Sequence, residues 1–223
     1  MDGIQHLVDL NSLELFRCSQ VSDLSPLTLL PNLTALTLIF CRKIKDLSPL
    51  KAITKLNSFN LWNCEAVDDL TPLAELTNLT SLDIRGVIVV SDLRPLASLS
   101  NLAELSLTSL QQVSDLSPLA SLVNLNSLKL HDCEQLTDLS PLAGLTNLTH
   151  LSLNSLPHMR SLNPLAQLKN LQVLWLARIP HGIEIPKGIK KRVRIYTWRF
   201  GSTTCFIWKI GCRPSKRLLS QLK

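Results

Sequence analysis

The sequence predicts an α/β solenoid, a right-handed horseshoe of stacked units with a concave parallel sheet of about eight short strands and short helical turns on its convex side. Two observations carry this expectation. A hexapeptide of the form SDLSPL occurs seven times, and its prolines, Pro26, Pro49, Pro72, Pro95, Pro118, Pro141 and Pro164, stand 23 residues apart without a slip. A fixed period of that size marks an array in which each unit buries its apolar face against its neighbours. Once per period, a short segment such as Leu36, Thr37, Leu38, Ile39 alternates apolar and variable residues, the period-2 signature of a strand.

Three regions follow: residues 1–9, an incomplete first repeat or crude cap; 10–179, the repeat array; and 180–223, a basic, aromatic cap or tail. Ile4, Leu7 and Leu10 fall where Leu27, Leu30 and Leu33 fall one unit later, so the chain begins inside a repeat. Terminal units of such arrays are normally atypical, and this opening predicts a fragment or C-terminal part of something longer. Eight strands start at Leu13, Leu36, Phe59, Leu82, Leu105, Leu128, Leu151 and Leu174. They run parallel because each unit repeats the last.

After each strand the chain turns into DLSPLAxL. A Ser, Thr or Asn before proline reads as a helix cap with proline at the first helical position, followed by a turn or two of helix. Leu27, Leu30 and their equivalents point inward. The column Asn32, Asn78, Asn101, Asn124, Asn147 and Asn170, broken by Lys55, returns the chain to the next strand. The column Asp23, Asp46, Asp69, Asp92, Asp115 and Asp138 stacks six carboxylates, which raises a metal reading. The stronger reading is local: each carboxylate accepts backbone N–H bonds in its own turn, and Ser161 replaces it in the last full unit.

From Pro180 the period ends. Val193, Ile195, Thr197 and Arg199 alternate with Arg194, Tyr196, Trp198 and Phe200; the GSTT that follows offers a turn, and Cys205 to Ile210 a returning strand. Either this is a hairpin covering the last repeat, or the natural end lies near Tyr196 and the rest is unrelated sequence.

The net charge of +6 belongs to that tail. Residues 1–179 hold 12 Lys and Arg against 16 Asp and Glu, whereas 180–223 hold 11 against Glu184 alone. Lys187, Lys190, Lys191, Arg192, Arg194 and Arg199 lie among aromatics, a composition that grips single-stranded nucleic acid; a solvated charged face on a cap is the stronger reading, and an anionic membrane surface a weaker variant. No run of 18 apolar residues exists, and the opening MDGIQHLVDL is unlike an export signal. Cys18, Cys41, Cys64 and Cys133 share one repeat position with Val87, Leu110, Leu156 and Ile179, so they read as buried hydrophobes, not a disulfide framework. Together these predict a cytoplasmic, reducing location.

The units share a pattern close to LxxLxLxxCxxVxDLSPLAxLxN, as in Leu125, Leu128, Leu130, Cys133, Leu136, Asp138, Leu139, Pro141, Leu142, Leu145 and Asn147. This resembles the leucine-rich repeat family, and the DLSPLAxLTNL wording looks most like bacterial internalin-like arrays and the sensor arrays of bacterial NOD-like receptors. The units are a residue longer than the common internalin-like repeat, and Cys often stands for its Asn. The resemblance implies a module that binds a protein through variable residues on the concave strands, without catalysis or cofactor, as the sensor part of a larger receptor or as an adhesin. The alternative is a recruiting or regulatory array of an enzyme whose catalytic domain lies upstream.

On those columns, Phe16, Ile39, Trp62 and Arg85 are consecutive and Phe40 stands beside them, the composition of an interface hot spot. Lys129, His131 and Trp175 are the candidates on the later units. Chemistry is poorly supported. His131, Asp132 and Cys133 are types found in a cysteine hydrolase, but neighbours on a strand point to opposite faces. Cys205 and Cys212 have no nearby His or second Cys pair for zinc, and no phosphate-cradling glycine loop occurs.

Overall fold

A computed structural model describes residues 3–198 and 206–208. The strands are β1 (Ser12–Phe16), β2 (Ala35–Ile39), β3 (Ser58–Trp62), β4 (Ser81–Arg85), β5 (Glu104–Thr108), β6 (Ser127–His131), β7 (His150–Asn154), β8 (Val173–Ala177), β9 (Arg194–Trp198) and β10 (Phe206–Trp208), with one short helix, α1 (Lys187–Lys190). They form one sheet in sequence order. β1 to β9 pair in parallel, each with the next, and β10 pairs antiparallel with β9.

The sequence predicts eight array strands and, as one of two readings, a hairpin after them; β9 and β10 do pair antiparallel there, but β9 also joins the array, by a shorter step. Residue partners from β1 to β8 are 23 apart, as in Leu13 with Leu36, but Val173 pairs with Arg194, 21 residues on. In this unit α1 replaces the proline-led turn, burying Ile189 as the others bury their leucines. β9 therefore extends the sheet instead of folding over it. Arg199, Phe200, the GSTT turn, Cys205, Ile210 and Cys212 lie outside the described residues.

β1 to β8 each send two apolar side chains inward, Leu36 and Leu38 in β2, for example, both fully buried, while β9 places Ile195 and Thr197 there. The turn leucines meet them from the other side, as Leu24, Leu27, Leu30 and Leu33 do, and the core is continuous along the stack. Its first end is open. Leu10, Leu13, Leu15, Cys18 and Val21 are only half-buried, and Leu7 is exposed where its equivalent Leu30 is buried. Cys18 thus departs from the buried position expected of its column, because among the described residues no strand pairs with the outer edge of β1; Cys41, Cys64 and Cys133 are buried and free.

The proline-led segments are five-residue 3-10 helices, such as Ser25–Leu29 and Ser117–Ser121. Their caps differ from expectation. No capping-residue side chain bonds the helix; instead the aspartate column does so. The Asp23 Oδ1 accepts the Ser25 N–H at 2.7 Å, Asp69 that of Thr71 at 2.7 Å, and Asp115 that of Ser117 at 2.7 Å. Ser161 does the same for Asn163 through its hydroxyl oxygen at 3.0 Å. A carboxylate two residues upstream reaches the first free N–H, whereas the serine's own side chain is already past it. The asparagine column ties neighbouring units: Asn124 Nδ2 donates to the Ser100 carbonyl at 2.8 Å, and Asn147 to that of Val123 at 2.9 Å. Arg192 ends this ladder, donating to the carbonyls of Leu168, Lys169 and Ala166.

At the end of each of the first eight strands one residue turns left-handed: Arg17, Phe40, Asn63, Gly86, Ser109, Asp132, Ser155 and Arg178, with φ between 49° and 63°. The turn carries the chain out of the sheet while the N–H still donates across it, as from Phe40 to the Trp62 carbonyl at 2.9 Å. Only Gly86 meets this conformation without a Cβ penalty, and Asn63 Oδ1 fills the place where a Cβ would stand.

Candidate partner-binding surface

Side chains at the first, third and fifth positions of β1 to β8, with Arg194 and Tyr196 of β9, face away from the core, and the in-register pairing lines them up in three columns. One runs Glu14, Thr37, Asn60, Asp83, Ser106, Lys129, Ser152, Trp175, Tyr196; another Phe16, Ile39, Trp62, Arg85, Thr108, His131, Asn154, Ala177.

The register places Phe16, Ile39, Trp62 and Arg85 side by side, as the spacing predicts. Their environments differ along the row. Phe16 is half exposed at the open edge and meets Phe40 edge to face at 6.3 Å between centroids, with the Arg17 guanidinium 5.1 Å from the Phe16 ring and 5.7 Å from that of Phe40. Phe40 itself stands on the left-handed strand end, not on the sheet. Ile39 is half-buried. Trp62 lies beneath Arg85, whose guanidinium is 4.5 Å from the ring centroid. Arg85 is fixed there by Asp83 on the same strand, through Nε to Oδ1 at 2.8 Å and Nη2 to Oδ2 at 2.5 Å. The Trp62 indole N–H is buried without an acceptor. Spacing could reveal the row, but not that Arg85 folds back over it; the Asp-x-Arg pattern on one strand face was the available signal.

The later candidates form a second centre. Trp175 is 48% exposed and stacks on Tyr196, 4.0 Å between centroids at 12°. His131 Nε2 and Ser152 Oγ are hydrogen-bonded at 2.7 Å. Burial is the first cause holding the His131 pKa below its ordinary value. His131, Ser152, Asn154, Trp175, Ala177 and Tyr196 line a hollow of about 350 Å³. Lys129 is exposed one strand from Ser152. Tyr196 escaped the sequence reading because it falls beyond the 23-residue count, and Ser152 because a lone serine carries no signal.

Cys133 turns into the core behind His131, where burial raises its pKa to about 11, so the His131, Asp132 and Cys133 side chains do not converge. The aspartates of the turns are engaged by N–H groups as described, and among the described residues no group of three or more His, Cys, Asp or Glu has the arrangement of a metal site. No helix among the described residues is long and apolar enough to cross a membrane.

No family model matches the sequence, and no curated protein does. Solved structures do. An internalin (inlF) from Listeria monocytogenes is 32% identical with a TM-score of 0.75, over 86% of this chain and 55% of that one. Internalin C2 (inlC2) from the same organism is 36% identical with a TM-score of 0.68, over 78% of this chain and 74% of that one. TLR13, solved in complex with ssRNA13, is 26% identical with a TM-score of 0.55, over 69% of this chain and 23% of that one. The chain thus spans about half the length of the first of these. With the repeat spacing, the single parallel sheet and these relatives, the chain belongs to the leucine-rich repeat family, as an array of the internalin-like kind.

Proposed function

We propose that this chain is a non-catalytic module that binds a protein partner through its concave sheet, as the recognition part of a larger bacterial receptor or surface protein. The observation that carries this is where exposed aromatic surface lies. Among the described residues with large exposed apolar side chains, the two aromatics, Phe16 and Trp175, both stand on the concave columns, while the others are aliphatic residues outside the strands, such as Leu29, Val89 and Val123. Exposed aromatics flanked by cations are the usual anchors of protein interfaces. The proposed contacts are Phe16, Ile39, Phe40, Trp62 and Arg85 at one end and Lys129, His131 and Trp175 at the other.

TLR13 in complex with ssRNA13 makes nucleic acid the rival ligand. Glu14, Asp83 and Glu104 on the same face oppose a phosphate backbone running along it. The test compares partners captured by the parent chain, by Phe16→Ala/Trp175→Ala and by the convex-side variant Leu29→Ser, all with matched melting temperatures. A protein kept by the parent and Leu29→Ser but lost by the concave double variant is expected. Loss on Leu29→Ser with retention by the concave variant would refute the reading.

A further inference from the structure

We propose that the later half of the concave face, β6 to β9, takes an acidic segment of the protein partner, seating one aromatic side chain of that segment in the hollow beside Trp175. This rests on the concave-binding reading above and gives the partner its chemistry.

The sheet's outward positions divide by charge. β1 to β5 carry Glu14, Asp83 and Glu104 against Arg85, and Arg85 is paired with Asp83. β6 to β9 carry Lys129 and Arg194, with His131 and His150, and no acid. Asp132 and Arg178, of opposite sign, stand at left-handed strand ends, and Arg178 is part of the lining of the hollow. Lys129 and Arg194 are exposed, and neither has an ion pair among the described residues. Trp175 lies between them in the sheet. From Lys129 through Ser152 and Trp175 to Tyr196 the register crosses three strand spacings, about 14 Å, which four or five extended residues span at roughly 3.3 Å each.

The hollow sits within that span. Its aromatic wall is the Trp175–Tyr196 stack, and Ser152, His131 and Asn154 add polar groups. A volume of about 350 Å³ is at the small end of ligand sites and suits one ring. An aromatic anchor with carboxylates on either side, reaching Lys129 and Arg194, matches both features at once. A nucleic acid matches less well. Its affinity grows with the number of phosphates neutralised, and here the face offers Lys129 and Arg194, with Arg178 at the hollow, before a continuing backbone would meet Glu104 and Asp83. Arg192, next to Arg194 in sequence, is occupied with three carbonyls. The opposite polarity of the two halves also fixes the direction in which such a partner lies.

The test titrates ¹⁵N-labelled protein with short synthetic peptides: an acidic one with a central Phe, the same with Ser for Phe, the same with Lys for every acid, and, separately, oligo-dT. The Trp175 indole N–H and the amides of β6 to β9 are read. The acidic Phe peptide should shift these signals, and should do so less as salt is raised. Trp175→Ala should weaken it by about tenfold or more, and Lys129→Glu/Arg194→Glu should turn the preference to the Lys peptide. Leu29→Ser, on an exposed 3-10 helix outside the concave columns, should leave the affinity unchanged. Equal binding of the acidic and Lys peptides, or shifts at Trp175 from oligo-dT alone, would overturn the proposal. Peptide shifts confined to β1 to β5 would overturn it too while leaving concave binding intact; shifts confined to the convex 3-10 helices would sink both.

Discussion

Leu128→Ala should open the stack at its middle. Leu128 lies on β6, fully buried, between Leu105 on β5 and Leu151 on β7. The substitution removes three carbons, worth about 0.8 kcal/mol each on transfer, or about 2.4 kcal/mol. The cavity adds to this, because neighbours held by a ladder on both sides relax little, so the whole cost is about 2 to 5 kcal/mol. Asn126→Ala, two residues away, is the control. Its carbonyl accepts the N–H groups of Thr149 at 2.9 Å and His150 at 3.0 Å, but its side chain is exposed, so the change should cost under about 0.5 kcal/mol. Urea melts give the sizes, and hydrogen exchange gives the location. Each unit is stabilised by its neighbours, so lost protection should centre on β5 to β7. Equal midpoints for the two variants, or a loss of protection appearing first at β1 and β2, would refute the assignment of faces or the nearest-neighbour account.

Three further outcomes follow from the turn bonds and the thiols. The six turn aspartates are held below the ordinary carboxyl range, in most by the hydroxyl and N–H of the residue two places on, in Asp46 by the N–H first, and in Asp92 by the Arg94 guanidinium first. Their stabilisation is therefore complete above the unfolded value of 3.8 and is lost as pH falls through the lower folded values; the urea midpoint should drop below about pH 4, and Asp115→Asn, which keeps an acceptor, should make that drop shallower. In a Cys205→Ser/Cys212→Ser background, thiol labelling at mild alkaline pH should modify Cys18 first, while Cys41, Cys64 and Cys133, buried and with raised pKa, react only on opening; equal rates for all four would contradict the burial pattern. Arg192→Ala should cost about 0.5 to 1.5 kcal/mol, the net of a hydrogen bond that water can partly replace, with exchange rising near residues 166–195 and not at β1.

The period made most of the fold legible, since a strand and a turn recurring every 23 residues leave one way to stack. It also hid that the array has a ninth member. Alternation shows a strand after Val193, but Arg194 to Trp198 falls two residues early for the count, so its parallel pairing with β8 does not follow from the period. The role of the aspartates was readable from their distance to the turn, and the Ser161 exception supports it. The serine caps were not, because the 3-10 helix begins so close to the proline that the donor nearest the hydroxyl is already taken by the aspartate. On the concave face, columns follow from period and alternation alone. Which column member is free does not, because it depends on two-residue contacts such as Asp83 with Arg85 and on Trp175 meeting a residue outside the count.

The bonds that hold the array explain why its face can vary. Core leucines, turn aspartates and the asparagine ladder all lie off the concave columns, so a change at Phe16 or Trp175 removes no bond between units. Trp62 is different. It sits beneath Arg85, which Asp83 holds, so three neighbouring surface residues on two strands act as one packed group. Removing Asp83 frees the guanidinium, uncovers the ring and exposes the orphan indole N–H to water. The two ends of the face are thus built on opposite terms. At Trp175 an aromatic is exposed on the half of the face that carries Lys129 and Arg194, whereas at Trp62 the cation already has its carboxylate from the same chain. A partner contacting Trp62 must first displace a bidentate pair, whereas Trp175 keeps half its surface exposed beside its stack on Tyr196; the proposed docking on the later half of the sheet rests on that difference.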